Sequence, residues 1–212
     1  MNLAYRISWC VFRLGYATYF RWRVYNPERV PLRGSVVLAA NHASILDPPL
    51  IGAALKRALN YLARDTLFSV PILGWLLRLW EVVPVDRDGG GAAGLRAIFD
   101  RLRNGGAILL FPEGTRTPDG QLQPAQAGLG LVVIKSSAPV VPVRVFGTFE
   151  AFGREARLPR PRRVMVKFGA PLDFEKLRAE AKTAPKQRLR EIYQQVTDEI
   201  MAAIASLEPK ED

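Results

Sequence analysis

His42 is the only histidine among 212 residues, and Asp47 follows it by five positions in Asn41-His42-Ala43-Ser44-Ile45-Leu46-Asp47. An imidazole takes and returns a proton near neutral pH, and a carboxylate that accepts from one ring nitrogen fixes the tautomer and makes the other nitrogen more basic. Spacing alone does not join the pair, because on a continuous helix five residues turn about 140° from the starting face. A bend is required. Asp47-Pro48-Pro49 supplies one: the residue before a proline is pushed out of the helical region, and prolines suit a helix's first turn. The expectation is that Asp47 is the N-cap of a helix from Pro48 to about Leu59, with acceptor capacity left for His42. The plainer reading of an isolated His-x4-Asp is a turn-capping histidine beside a helix start.

A second set of reactive types follows the apolar run Ala107-Ile-Leu-Leu-Phe111, in Pro112-Glu113-Gly114-Thr115-Arg116. In open α/β sheets the carboxyl edge of the strands is where ligands collect. Gly114 permits close backbone approach, Thr115 offers a hydroxyl, and Arg116 offers a planar fork matched to phosphoryl oxygens. Glu113 cannot bind an anion; it steadies an arginine or accepts a hydrogen bond from a substrate hydroxyl. Taken alone, Glu-Gly-Thr-Arg is equally an ordinary strand-to-loop turn with a surface ion pair. Val83-Pro84-Val85-Asp86-Arg87 ends another strand, with Arg87 as a second phosphate ligand and Gly89 to Gly91 as a loop or connector. Pro142, in Val141-Pro142-Val143, marks a binding wall or an edge strand.

These residues need a frame, and the apolar pattern describes one. Residues 35–40, 60–63, 82–85, 107–111, 140–146 and 164–168 read as strands, several unbroken enough to be buried on both faces; 48–59, 72–80, 92–103, 126–136 and 185–207 read as helices. Such alternation predicts an α/β protein, a single domain over residues 31–212 with a mostly parallel central sheet flanked by helices. Residues 1–30 read as an N-terminal amphipathic segment that associates with a membrane. Arginines interrupt it too often for a spanning helix or a signal peptide. Leu3, Ile7, Cys10, Leu14 and Ala17 form one stripe, and Tyr5, Trp9, Phe12, Tyr16, Tyr19 and Phe20 an aromatic face, with Arg6 and Arg13 between. The expectation is rings at the lipid interface and arginines toward lipid phosphates, or else a helix packed on the body.

The formal net charge of +10 predicts anionic partners. Arg154, Arg157, Arg160, Arg162, Arg163 and Lys167 form a basic cluster suited to an anionic membrane surface, the phosphates of coenzyme A or an acidic carrier protein. Aromatics are not interleaved there, so nucleic acid is not expected. One cysteine, Cys10, excludes an internal disulfide, and no spacing suggests a metal site.

Together, in this order, the blocks Asn41 to Asp47, Val85-Asp86-Arg87, Phe111 to Arg116 and Val141-Pro142-Val143 resemble the glycerolipid acyltransferase superfamily, specifically the 1-acylglycerol-3-phosphate (lysophosphatidate) acyltransferases. The resemblance implies transfer of a fatty acyl chain from acyl-CoA or an acyl carrier protein thioester to the sn-2 hydroxyl of 1-acylglycerol-3-phosphate, giving phosphatidate for phospholipid synthesis. It implies no cofactor beyond that thioester, a lipid substrate, and work at the cytoplasmic face of a membrane. His42 would be the general base and Asp47 would orient it. Arg87 and Arg116 would hold the acceptor phosphate, with Glu113, Gly114 and Thr115 shaping that pocket. A thioester already carries a good leaving group, so neither Ser44 nor Cys10 is needed as a nucleophile. The rival expectations are another lyso-lipid acceptor and a non-catalytic membrane-surface lipid-binding protein.

Overall fold

The computed structural model describes residues 3–85, 92–126 and 128–210. Its strands are β1 (Arg23–Tyr25), β2 (Val36–Ala40), β3 (Leu62–Arg64), β4 (Val83–Val85), β5 (Ala107–Leu110), β6 (Val140–Phe146) and β7 (Met165–Phe168). Five of them form the central sheet in the order β1-β7-β6-β2-β5, while β3 and β4 make a separate parallel pair. Within the central sheet only β6 with β7 is antiparallel. The mostly parallel α/β frame expected from the alternating pattern is therefore present.

The middle strand explains why its sequence is unbroken apolar. Val36, Leu38 and Ala40 of β2 pack into one core with α1 (Leu3–Thr18) and α2 (Asp47–Ala54). Val37 and Ala39 pack into the other with α4 (Ala92–Arg103), α5 (Gly128–Ser136) and α8 (Lys186–Ser206). A strand covered on both faces has no polar side to show. Three short elements carried no readable period: β1, α6 (Thr148–Phe152) and α7 (Glu175–Ala181). The remaining helix, α3 (Pro71–Leu79), falls within one residue of its expected bounds.

For the aromatic face of the N-terminal helix, the structure takes the second of the two expected placements, packing on the body. Its aromatic face turns inward onto α2, with Tyr5, Tyr16 and Phe20 buried, while Leu3, Ile7, Cys10, Leu14 and Ala17 are exposed. The cause is the unpaired carbonyls at the end of α2. Trp9 Nε1 donates to the Leu55 carbonyl at 2.8 Å and Arg13 to that of Ala53 at 3.0 Å. Ring tips with a polar handle do this and bury area at once. Arg13 is also sandwiched, 4.6 Å from the Trp9 ring centroid and 5.4 Å from that of Trp22, so it is a packing group and not a ligand for lipid phosphate. Among the described residues no helix is long and apolar enough to cross a membrane.

Two further expectations change. β6 lies inside the sheet between β2 and β7, so Pro142 does not mark an edge strand. Its carbonyl accepts from Gly169 N–H at 2.7 Å, which places its missing N–H on the β7 side, just past the last paired rung at Val143 and Phe168. The proline thus removes no bond from the β2 ladder. Lys167 is buried, with Nζ donating to the Lys210 carbonyl at 2.7 Å, and so does not belong to the exposed basic cluster.

Candidate active site

β2 and β5 are parallel neighbours, with Ala39 level with Leu110, so the segments that follow them emerge side by side at one edge. His42 and Phe111 come from these two segments, and their rings stack with centroids 3.9 Å apart and planes 17° from parallel. On its other side, His42 Nδ1 lies 2.9 Å from Asp47 Oδ2. That oxygen also accepts the N–H groups of Ala43 at 2.6 Å and Ser44 at 2.7 Å. An ionised carboxylate only accepts, so the proton of a neutral His42 sits on Nδ1 and the lone pair on Nε2. Asp47 is fully buried, whereas the His42 side chain keeps 18% of its surface open to solvent.

The structure brings His42 and Asp47 together through the expected proline bend, with the cap one residue earlier than expected. Asp47 is the first residue of α2 and Leu46 occupies the cap position. Pro48 and Pro49 have no N–H to offer, so the carboxylate turns back onto the 42–44 loop instead of forward onto the helix. The helix also ends earlier than expected, at Ala54, where Leu55 goes extended.

Several polar residues that carried no role in the sequence hold this loop. Asn41 is clamped to β6, accepting Val145 N–H at 2.8 Å and donating to its carbonyl at 3.3 Å. Ser44 Oγ donates to the Phe152 carbonyl at 2.6 Å and accepts Leu46 N–H at 3.1 Å. Tyr16 OH donates to the Leu46 carbonyl at 2.8 Å. Burial first, and then the Asp47 charge, pushes the Tyr16 hydroxyl well above its ordinary range, so it stays a donor. The signal for Asn41 was available: a polar side chain between a buried strand and a functional turn must find a partner.

Glu113 crosses from the β5 segment to the β2 segment, where Oε1 accepts the His42 N–H at 3.2 Å. Thr117 N–H donates to the His42 carbonyl at 2.8 Å, so both backbone groups of His42 are held by the neighbouring loop. Glu113 is 4% exposed and its Oε2 is buried without a partner among the described residues. Burial raises its carboxyl to about 7, opposed by backbone hydrogen bonds from His42 and Gln123. Among the described residues it steadies backbone, and it steadies no arginine, the first of its two expected roles. Gly114 has φ of +70°, and a Cβ there would lie 2.5 Å from the Gln126 side chain, so this turn requires glycine. Thr115 is exposed, and Arg116 is partly exposed and makes no ion pair among the described residues. Arg87, with Asp86 and the glycines after it, lies outside the described residues.

The fold and this edge define a class: an α/β protein that presents one histidine, fixed by a buried carboxylate, beside a loop whose arginine makes no ion pair among the described residues. The family model described as Acyltransferase matches residues 21–146, more than half of the chain, and the chain belongs to that family. A 1-acyl-sn-glycerol-3-phosphate acyltransferase of Bacillus subtilis is 28% identical over 179 residues, covering 80% of this chain and 87% of the relative. A chloroplastic one from Brassica napus is 31% identical over 114 residues, 53% of this chain and 33% of the relative. The chain thus spans about a third of the length of that plant relative. In structure, the 1-acyl-sn-glycerophosphate acyltransferase PlsC from Thermotoga maritima shares the fold, with a TM-score of 0.73 and 23% identity over 97% of this chain and 81% of that one.

Proposed function

We propose that the chain is a 1-acylglycerol-3-phosphate O-acyltransferase, moving a fatty acyl chain from an acyl-CoA or acyl carrier protein thioester to the sn-2 hydroxyl. The observation that carries this reading is the 2.9 Å contact between His42 Nδ1 and Asp47 Oδ2, with the imidazole stacked on Phe111 at the mouth of the Glu113 to Arg116 loop. The names of the relatives support the choice of acceptor.

Asp47 holds the proton on Nδ1, and Nε2 takes the proton of the acceptor hydroxyl as its oxygen attacks the thioester carbonyl. The tetrahedral intermediate then collapses, the C–S bond breaks, and the sulfur leaves with the bonding pair and receives the proton from the imidazolium. The Asp47 charge stabilises that imidazolium while it exists. Arg116 and Arg87 bind the acceptor phosphate through their planar forks, and Glu113, Gly114 and Thr115 shape the pocket. No cofactor is needed beyond the thioester.

The enzyme works at the cytoplasmic face of an anionic membrane, docked through the exposed stripe of α1. Ile72 and Trp75 of α3 are also exposed, at 77% and 60%, and α3 is joined to α1 through Trp80, whose Nε1 donates to Ser8 Oγ at 2.9 Å. A net charge of +10 supports attraction to such a surface. The test is thiol release from palmitoyl-CoA, and separately from a palmitoyl carrier protein, with and without 1-acylglycerol-3-phosphate. The expected result is acceptor-dependent release from at least one donor. Release from neither donor, in folded and vesicle-bound protein, overturns the reading.

A further inference from the structure

From one face of α1, Trp9, Arg13 and Tyr16 reach the backbone of α2, and the third does so for a different reason from the first two. Trp9 and Arg13 donate to the carbonyls of Leu55 and Ala53, at the end of α2 where helix carbonyls have no partner of their own. Tyr16 OH donates at 2.8 Å to the Leu46 carbonyl, at the opposite end of the helix. That carbonyl already accepts Leu50 N–H at 3.0 Å, so the helix does not need the phenol to satisfy it. Packing does not need the hydroxyl either. The ring centroid lies 5.6 Å from that of Phe20 and 5.7 Å from that of Trp22, contacts that a phenylalanine would keep.

The Leu46 carbonyl belongs to the peptide unit that leads into Asp47. The other side of that unit, Asp47 N–H, donates to the Ser44 carbonyl at 3.2 Å. Leu46 N–H donates to Ser44 Oγ at 3.1 Å, and Ser44 N–H to Asp47 Oδ2 at 2.7 Å. Fully buried Ser44 thus uses its N–H, its carbonyl and its hydroxyl, and the hydroxyl also donates to the Phe152 carbonyl at 2.6 Å. The turn needs such support because Pro48 and Pro49 bring no N–H, which leaves Leu50 as the first residue after Asp47 able to close it. Two of these bonds leave the turn: Tyr16 ties it to α1, and Ser44 ties it to the last residue of α6.

A tilt of the Leu46–Asp47 peptide swings the carboxylate away from His42, and with it goes the 2.9 Å contact that keeps the ring proton on Nδ1. We infer that Tyr16 and Ser44 are positioning residues of the acyl transfer: anchored to α1 and α6, they fix the peptide plane ahead of Asp47 so that Oδ2 meets His42 Nδ1. Neither touches substrate, since Tyr16 is 2% exposed and Ser44 not at all. Their hydroxyls orient the base without exchanging its proton. The kinetic part of the inference rests on the acyltransferase reading, and the tautomer part does not.

The test uses Tyr16→Phe and Ser44→Ala, with Trp9→Phe as a control that also removes one donor from the contact of α1 with α2, at the end away from Asp47. For each, kcat and both KM values are measured with palmitoyl-CoA or palmitoyl carrier protein and 1-acylglycerol-3-phosphate. A thermal melt and the ring-nitrogen shifts of ¹⁵N-histidine-labelled protein accompany them. Tyr16→Phe should lower kcat about two- to tenfold, the worth of one neutral hydrogen bond, and leave both KM values in place. It should also move part of the neutral His42 population to the form protonated on Nε2. Ser44→Ala breaks two bonds and should do the same more strongly; if it does not fold, Tyr16→Phe decides alone. Trp9→Phe should lower the melting temperature and leave kcat and the tautomer unchanged. A Tyr16→Phe protein with wild-type kcat and wild-type tautomer, whatever its melting temperature, overturns the positioning role. An equal loss of kcat in Trp9→Phe also overturns it, because the effect is then one of helix packing. Wild-type protein that releases thiol from neither donor overturns the acyltransferase reading, and the tautomer in Tyr16→Phe then still decides the positioning role.

Discussion

The segments that leave β2 and β5 each bury a carboxylate, and they treat it differently. Asp47 concentrates three donors, two backbone N–H groups and the His42 ring, on Oδ2, leaving Oδ1 buried and without a partner among the described residues. Glu113 Oε1 accepts the His42 N–H at 3.2 Å, and its Oε2 has no partner among the described residues. Burial, with help from the Asp47 charge, outweighs the backbone hydrogen bonds from His42 and Gln123 and lifts Glu113 to about 7. At one sheet edge, then, one carboxylate is a fixed acceptor that orients a base, and its neighbour exchanges a proton near neutrality.

The comparison breaks most sharply at the base itself. His42→Ala should lower acceptor-dependent thiol release by at least about 10²- to 10⁴-fold, the usual worth of general-base help. Its melting temperature should change little, since His42 keeps only a partly open ring against Phe111. Asp47→Asn keeps the shape and an acceptor but loses the charge, and should cost up to about 10⁴-fold in kcat with a smaller effect on KM. Steady-state kinetics on both variants, beside wild type, check this order.

Glu113→Gln sharpens the other half. The folded pKa of Glu113 lies above its ordinary value of 4.5, so the fold favours the neutral form. Its contribution to stability is full below about pH 4.5 and is lost as pH rises through 7. At about 1.36 kcal/mol per pH unit, that loss is about 3 kcal/mol. Denaturant titrations of wild type at a series of pH values should show this decline, and Glu113→Gln should flatten it. The smallest effect is that of Gly114→Ala. A left-handed φ of +70° costs a side-chain-bearing residue about 1–2 kcal/mol, and the Gln126 side chain must also move. A thermal melt reads it, together with a raised acceptor KM from displacement of Arg116.

Much of this edge was legible in the sequence because it rests on local rules. Unbroken apolar runs marked β2, β5 and β6, and the proline pair after Asp47 marked the bend that joins it to His42. What was not legible depended on partners far along the chain. Whether the aromatic face of α1 met lipid or protein was decided by unpaired carbonyls at Ala53 and Leu55, some 40 residues away. Phe111 gave no sign of a role until the β2–β5 register set it against His42. Lys167 read as one of a basic run until β7 buried it. Pro142 read as an edge signal, because nothing local showed that its missing N–H falls where the β7 ladder ends. Arg87, the second expected phosphate ligand, lies outside the described residues, so its place in the site rests on the family resemblance.

The most direct test of the account is the tautomer of the one histidine. Because the chain has a single His, protein labelled with ¹⁵N-histidine gives one imidazole, and long-range ¹H–¹⁵N correlation identifies which ring nitrogen carries the proton. The account predicts that, once deprotonated, His42 holds its proton on Nδ1 and leaves Nε2 bare, and that Asp47→Asn erodes this preference. A neutral ring protonated on Nε2 in wild type would contradict it, because Nε2 would then have no lone pair with which to take the acceptor's proton.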